Sequence, residues 1–247
     1  MSRKKRTVKQ AKESGKNAKR NPQHKERMRG KLPPNTIRIS GQLATLNYSI
    51  GESHLAETRI ITAQKEYRIW DPKTSKLAAA LHKGLDYPAS VERPIILYLG
   101  ASYGNTISYL SDIYPKGIIY AVESAIEPIR QLAILSIKRK NILPLYANAG
   151  IIEGYSGIIP YADIIYMDIA QKNQVDILRK NMIFASDNTT IMLCLKARSI
   201  DVTMSPSKVF LHAKEQIREY ATVIREMRLE PYEKDHAFMI LKKKVRQ

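Results

Sequence analysis

The chain has 247 residues, 44% of them apolar, and 41 Lys or Arg against 23 Asp or Glu give it a net charge of +18. That length holds one good-sized domain, or one domain with a small appendage, and no apolar stretch reaches the roughly 18 residues of a membrane-spanning helix. A single cysteine excludes an internal disulfide or a cysteine metal cluster, the five histidines show no ligand spacing, and the basic start is not followed by the apolar run of a signal peptide. A soluble, intracellular, metal-free protein with a polyanionic partner is expected.

Residues 1–31 carry thirteen Lys or Arg against Glu13 and Glu26, a net +11 of the +18, so the other 216 residues remain basic at +7. Such a segment cannot bury enough apolar area to offset its ordering entropy, and residues 1–33 are expected to form a disordered basic arm closed by Pro33-Pro34. Nothing amphipathic places the arm on a membrane surface. Phosphate backbone is the better partner, although a plain solubility tail would have the same composition.

Between Thr36 and Arg68 short apolar alternation at Ile37, Ile39, Leu43, Leu46 and Ile60, with Gly41 and Gly51 at turns, predicts a small β-meander. The division expected is a small β domain over 34–68 and a larger domain over 69–247. The meander is too small to stand alone and should pack on the larger domain.

Helix and strand signals then alternate: a helix over 75–85, a strand over 95–99, a helix from about 105 to 114, a strand over 117–122 and a helix over 126–138. Strands come next at 142–146 and 163–167, a helix at 174–184, a strand at 189–195 and a helix at 206–219. The segments 223–228 and 237–241 read as a closing antiparallel pair. Repeated strand–helix units with continuous apolar strands predict an α/β fold, a parallel sheet covered on both faces, with ligands bound outside the strands' carboxyl ends. Cys194, inside the apolar run from Ile191 to Leu195, is expected to be a buried, inert thiol.

The strand ends are therefore where chemistry is sought. After the first comes Gly100-Ala101-Ser102-Tyr103-Gly104-Asn105-Thr106, whose glycines allow a tight turn and close approach to a ligand, as an ordinary strand–helix turn also would. It is not the dinucleotide Gly-x-Gly-x-x-Gly. The second strand ends on Glu123, about twenty residues on, an acceptor-only carboxylate suited to ribose hydroxyls. Together they favour a nucleoside cofactor without choosing between a nicotinamide dinucleotide and S-adenosylmethionine. Asp168 and Lys196 end two further apolar strands, where charges are costly unless paired or functional. Lys76 and His236 add ionisable groups flanking the sheet.

Several segments resemble fibrillarin, especially its archaeal form, from about Ala44 to Ile240. They are Tyr67-Arg68-Ile69-Trp70-Asp71-Pro72, Ser75-Lys76-Leu77-Ala78-Ala79-Ala80, Tyr98-Leu99-Gly100-Ala101, Tyr120-Ala121-Val122-Glu123 and Asp168-Ile169-Ala170-Gln171. To these are added Lys196-Ala197-Arg198-Ser199-Ile200-Asp201 and the run from Leu229 to Ala237. The resemblance implies a class I (Rossmann-like) methyltransferase sheet, bound S-adenosylmethionine, and methyl transfer to ribose 2′-hydroxyls of rRNA or tRNA. It implies a catalytic set of Lys76, Asp168, Lys196 and His236, with Lys196 at the hydroxyl. Cofactor contacts fall on Gly100, Ala101, Gly104, Asn105 and Thr106, on Glu123 for the ribose, on Asn148 and Ala149 near the adenine, and on Asp168 and Gln171. The implied partners are a box C/D guide RNA with its target, a Nop-domain scaffold and a kink-turn-binding ribosomal-type protein. Alternatives of related fold are a self-guided RNA methyltransferase and a non-catalytic RNA-binding subunit. The chain departs from the family pattern at Ser102-Tyr103, at Asn148 in place of an aspartate and at Lys172 in place of a proline. It lacks a Gly-Arg-rich tail, which favours the archaeal form and a cytoplasmic rather than nucleolar place.

Overall fold

The computed structural model describes residues 30–88 and 91–244. Residues 1–29 of the expected arm lie outside them, but its last residues correct the boundary. Lys31 donates its backbone N–H to Asp86 Oδ1 at 2.9 Å and accepts from the Tyr87 N–H at 2.8 Å. Leu32 packs against the core and Pro33 is buried. Two backbone bonds and a few apolar atoms suffice to order residues 30–33, and an average over the whole basic segment conceals them.

Four strands, β1 (Thr36–Ile39), β2 (Gln42–Leu46), β3 (Arg59–Thr62) and β4 (Lys65–Trp70), form an antiparallel sheet ordered β1-β2-β4-β3. This differs from the expected meander: the chain crosses from β2 to the outer edge and returns as β4 between β2 and β3. Burial explains it, because β4 ends on Arg68, Ile69 and Trp70, all buried, whereas β3 is largely exposed. The strand with most to bury takes the inner place. β4 also runs through the expected boundary at 68, since Trp70 lies in the core of the larger unit, stacked on Tyr109 with ring centroids 5.0 Å apart.

The second sheet has seven strands: β5 (Ile95–Leu99), β6 (Ile118–Glu123), β7 (Ile142–Tyr146), β8 (Ala162–Met167), β9 (Ala185–Lys196), β10 (Ala221–Arg228) and β11 (His236–Lys243). Their order is β10-β11-β9-β8-β5-β6-β7, with β5 to β9 parallel and β11 antiparallel between β9 and β10. Pro144, which cannot donate to a ladder, sits in β7 at the sheet's edge. The helices are α1 (Lys76–His82), α2 (Asn105–Ile113), α3 (Ile126–Lys138), α4 (Gln174–Asn181), the four-residue α5 (Ala197–Ile200) and α6 (Pro206–Ile217).

Strand alternation divides the core in two. Ile96, Tyr98, Ile164, Tyr166, Met192, Cys194 and Phe238 face α1, α2, α3 and the small sheet. Leu97, Leu99, Ile165, Met167, Ile191, Leu193 and Met239 face α4 and α6. Cys194 is buried as expected, its Sγ 3.3 Å from the Tyr166 hydroxyl, and burial raises its pKa. The chain runs outward from β5 through β6 to β7, then resumes on the other side of β5 as β8. The switch point therefore lies at the carboxyl ends of β5 and β8.

Candidate active site

Each ionisable residue expected from the sequence stands at an element's end around this switch point. Lys76 opens α1, whose N-cap is Ser75; the Ser75 Oγ accepts the Ala78 N–H at 3.4 Å. Asp168 directly follows β8, its N–H bonded to the Leu99 carbonyl at 3.0 Å. Lys196 ends β9, and His236, its register partner, begins β11.

Tertiary structure joins three of them. Lys76 Nζ lies 3.2 Å from Asp168 Oδ2 and Lys196 Nζ lies 2.9 Å from Asp168 Oδ1, with all three side chains 14–18% exposed. One carboxylate thus bridges two ammonium groups. The Lys196 contact is off the line of a hydrogen bond, so the buried Oδ1 retains an open acceptor direction. Burial disfavours the charge on Lys76, but Asp168, and with it Cys194 and Glu233, outweigh burial and lift its pKa above the ordinary lysine value. Lys76 is therefore a cation at neutral pH, which suits it to electrostatic support and not to accepting a proton.

His236 stands one step away. Its Nδ1 meets the Lys234 carbonyl at 2.6 Å and lies 3.8 Å from Glu233 Oε2. Glu233 in turn reaches to 3.9 Å from Lys76 Nζ, and so links His236 to the central trio. The sequence shows Glu233 only as one letter of a long matching run. Gln174 is a second residue that sequence reasoning passes over. It is fully buried, accepts the Lys196 N–H at 3.1 Å, and donates to the Gln171 carbonyl at 2.9 Å and the Lys196 carbonyl at 3.3 Å. A polar residue on the buried face of a helix with Ile177 and Leu178 was the available signal.

On the glycine side, Gly100 has φ of 80°, and a Cβ there would come within 2.6 Å of the Asp168 carbonyl oxygen. Glycine is required because β5 and β8 close on each other at their ends, independent of any ligand. Ala101 is buried beside it and Gly104 caps α2 with φ of 88°. Asn105 and Thr106 serve α1: Asn105 Nδ2 donates to the Thr74 carbonyl, and Thr106 Oγ1 lies 3.0 Å from Ser75 Oγ. Tyr103 is 49% exposed.

Glu123 is half-buried and held by three backbone donors at 2.8 Å, Ser102 N–H to Oε2 and Ser124 and Ala125 N–H to Oε1. A carboxylate has about four acceptor positions, so one direction remains. Asn148, exposed, follows β7 and closes a turn, its Oδ1 accepting the Gly150 N–H at 2.8 Å. Ala149 is buried, with its carbonyl taken by Tyr155 Oη at 3.1 Å and Asn181 Nδ2 at 2.9 Å. Gln171 is exposed beyond β8.

The fibrillarin family model matches residues 23–245. A fibrillarin-like rRNA/tRNA 2′-O-methyltransferase of Methanocaldococcus jannaschii is 40% identical over 201 residues, covering 81% of this chain and 87% of the relative. Two solved structures resemble the fold over 86% of the chain. A fibrillarin/Nop5p complex has a TM-score of 0.79 at 37% identity, with 99% of that chain covered. Aeropyrum pernix fibrillarin with natively bound S-adenosyl-L-methionine has a TM-score of 0.77 at 33% identity, with 96% covered. Overall fold and sequence agree, and the chain belongs to the fibrillarin family.

Proposed function

We propose that this chain transfers a methyl group from S-adenosylmethionine to ribose 2′-hydroxyls of ribosomal or transfer RNA. The observation that carries the reading is the Asp168 carboxylate bridging Lys76 and Lys196 at the switch point. The residues present fit the cofactor: the open direction on Asp168 Oδ1 and the open direction on Glu123 are acceptors awaiting donors. Glu123 would take the ribose hydroxyls, the turn at 100–104 the amino-acid end, and Asn148 with Ala149 the adenine. When bound, the cofactor supplies an electrophilic methyl group on a sulfonium.

A ribose hydroxyl is a poor nucleophile at neutral pH, so the protein's work is alignment and proton removal. Lys196 holds the hydroxyl and receives its proton, or favours the alkoxide as a cation. Asp168 orients Lys196 and turns negative charge toward the cationic methyl region. Lys76 balances Asp168, and Glu233 with His236 steadies Lys76 from behind. Selection of the nucleotide falls to a box C/D guide RNA, in an assembly with a Nop-domain scaffold and a kink-turn-binding protein; the relative solved with Nop5p supports the scaffold. The division into a basic arm, a small β unit and a methyltransferase unit stands as part of this proposal, with the arm shortened to residues 1–29. The test is to map 2′-O-methyl groups on target RNA after incubation with cofactor, partners and guide. Methylation only opposite the guide is expected, and methylation that ignores the guide would reject guide selection.

The arm gives a second expectation. Residues 1–29 hold twelve Lys or Arg against two Glu. Their deletion should weaken RNA binding and flatten the slope of log affinity against log salt, because fewer counterions are released, and should leave cofactor binding intact. An unchanged slope would mean the arm does not touch RNA.

Asn148 gives a third. Its turn with Gly150 survives replacement by aspartate, which presents a charged acceptor where the amide presents a neutral one. Asn148→Asp should tighten S-adenosylmethionine several-fold, on the order of the difference between neutral and charge-assisted hydrogen bonds. Calorimetry showing no change in Asn148→Asp and in Asn148→Leu alike would remove Asn148 from the adenine site.

A further inference from the structure

We propose that His54, in the loop between β2 and β3 of the small sheet, is a positioning residue that holds the turn at 100–104 in its cofactor-binding shape. The inference rests on reading that turn as part of the S-adenosylmethionine site. Three of the five residues have φ in the left-handed region: Gly100 at 80°, Ser102 at 50° and Gly104 at 88°. Ser102 carries a Cβ and rarely holds such a conformation unless its surroundings impose it. Within the turn, the Gly104 N–H reaches the Ala101 carbonyl at 3.1 Å.

Two side chains hold it from outside. Glu123 accepts the Ser102 N–H at 2.8 Å, and His54 Nε2 meets the Tyr103 carbonyl at 2.7 Å. Glu123 is the candidate ribose ligand, so its grip is shared when cofactor binds; the His54 contact is independent of the ligand. A carbonyl only accepts, so Nε2 carries the proton. Burial lowers the His54 pKa below the ordinary histidine value, which keeps the ring neutral at pH 7 with that single N–H committed to Tyr103. Gly104 makes room for the contact, since a Cβ there would stand 3.2 Å from His54 Nε2 and 2.7 Å from Leu135 Cδ2.

His54 is itself fixed. Its backbone N–H donates to the two Glu57 oxygens at 3.0 and 3.1 Å, and the Leu55 backbone N–H donates to Glu57 Oε2 at 2.7 Å. Burial would raise the Glu57 pKa, but the Arg68 guanidinium at 2.5 Å and these N–H groups hold it at about 2. Arg68 also pairs with Asp112 at 2.8 Å, on α2, the helix into which the turn leads. Contacts therefore run in a closed circuit from the turn through α2, Asp112, Arg68, Glu57 and His54 back to the turn. The small sheet thereby bears on cofactor binding without touching the cofactor.

The test compares His54→Gln and His54→Asn in the full chain. The glutamine amide reaches about as far as Nε2 and can donate to Tyr103; the asparagine amide is one bond shorter and cannot. His54→Asn should bind S-adenosylmethionine about five-fold more weakly by calorimetry, the scale of one lost hydrogen bond. KM for the cofactor should rise in step, with kcat at saturating cofactor unchanged. Amide hydrogens at 101–106 of the ligand-free protein should exchange faster, and His54→Gln should restore all three readouts. Equal cofactor affinity and exchange in His54→Asn and the unsubstituted chain would overturn the proposal. So would a glutamine variant as weak as the asparagine one, or loss of the unfolding transition in both, since either makes the ring a packing element. Failure of the unsubstituted chain to bind S-adenosylmethionine, with exchange still faster in His54→Asn, would reject the cofactor reading while leaving the hold on the turn in place.

Discussion

Lys196→Ala is expected to lower methyl transfer at least ~100-fold, the scale associated with a positioned proton-transfer group. Lys196 ends a strand buried from Thr189 to Leu195, its ammonium is 2.9 Å from Asp168, and its backbone is gripped on both sides by Gln174. The side chain can therefore be removed without disturbing the strand. Cofactor affinity should change little, because the roles assigned to the 100–104 turn and Glu123 do not involve this amine. Single-turnover transfer from radiolabelled cofactor in the assembled complex is the measurement, and a rate near that of the unsubstituted chain would remove Lys196 from the chemistry. Lys196→Arg separates its two possible contributions, since a guanidinium stays charged and cannot accept a proton. An arginine variant as slow as the alanine one assigns proton acceptance to the amine; one that keeps most of the rate assigns the work to positive charge.

Asp112→Ala is expected to cause the largest loss of stability. The residue is 1% exposed, and its two oxygens accept from Arg68 Nη1 at 2.8 Å, Arg139 Nη1 at 2.5 Å, Thr45 Oγ1 at 2.7 Å and the Tyr48 N–H at 2.9 Å. Arg68 and Arg139 are themselves 0% and 2% exposed. Removing the carboxylate leaves two buried cations against Glu57 alone, and breaking a buried pair in this way costs roughly 3–5 kcal/mol. For a domain of this size that corresponds to a fall in Tm on the order of 10 °C. The donors come from β2, β4, the loop after β2 and the residue after α3, so the loss should fall on the junction between the two sheets. Thermal unfolding of Asp112→Ala with a midpoint within about 2 °C of the parent would show that apolar packing around Trp70 holds this junction without the ion cluster.

The local elements were legible in the chain. The strands Ile95–Leu99 and Ile142–Tyr146 and the helix Ile126–Lys138 fall where apolar runs and helical spacing put them, because both signals depend only on neighbouring residues. The same holds for Asp168 and Lys196, whose charges stand out against the apolar strands they end. Other features depend on residues far apart in the chain. β9 begins at Ala185, four residues before the expected 189, because Ala185 pairs with Ala162 of β8 ahead of a register shift, and Asp187 and Asn188 lie in that irregularity despite their turn-like chemistry. Arg68 is a charged residue in a short strand, and its complete burial becomes tolerable only through Asp112, 44 positions later, together with Glu57.

The inner place of β4, Gln174 behind Lys196, and Glu233 between Lys76 and His236 have the same origin. What the sequence determined by itself was the set of elements and the charged residues at their ends, since propensity, periodicity and polarity act over a few residues. Which ends meet, which charge bridges which, and how the small sheet reaches the 100–104 turn were decided by tertiary structure. Most of those contacts join residues distant in the chain, up to the 157 positions between Lys76 and Glu233, and their free energy exists only once the two core faces have closed around the sheet.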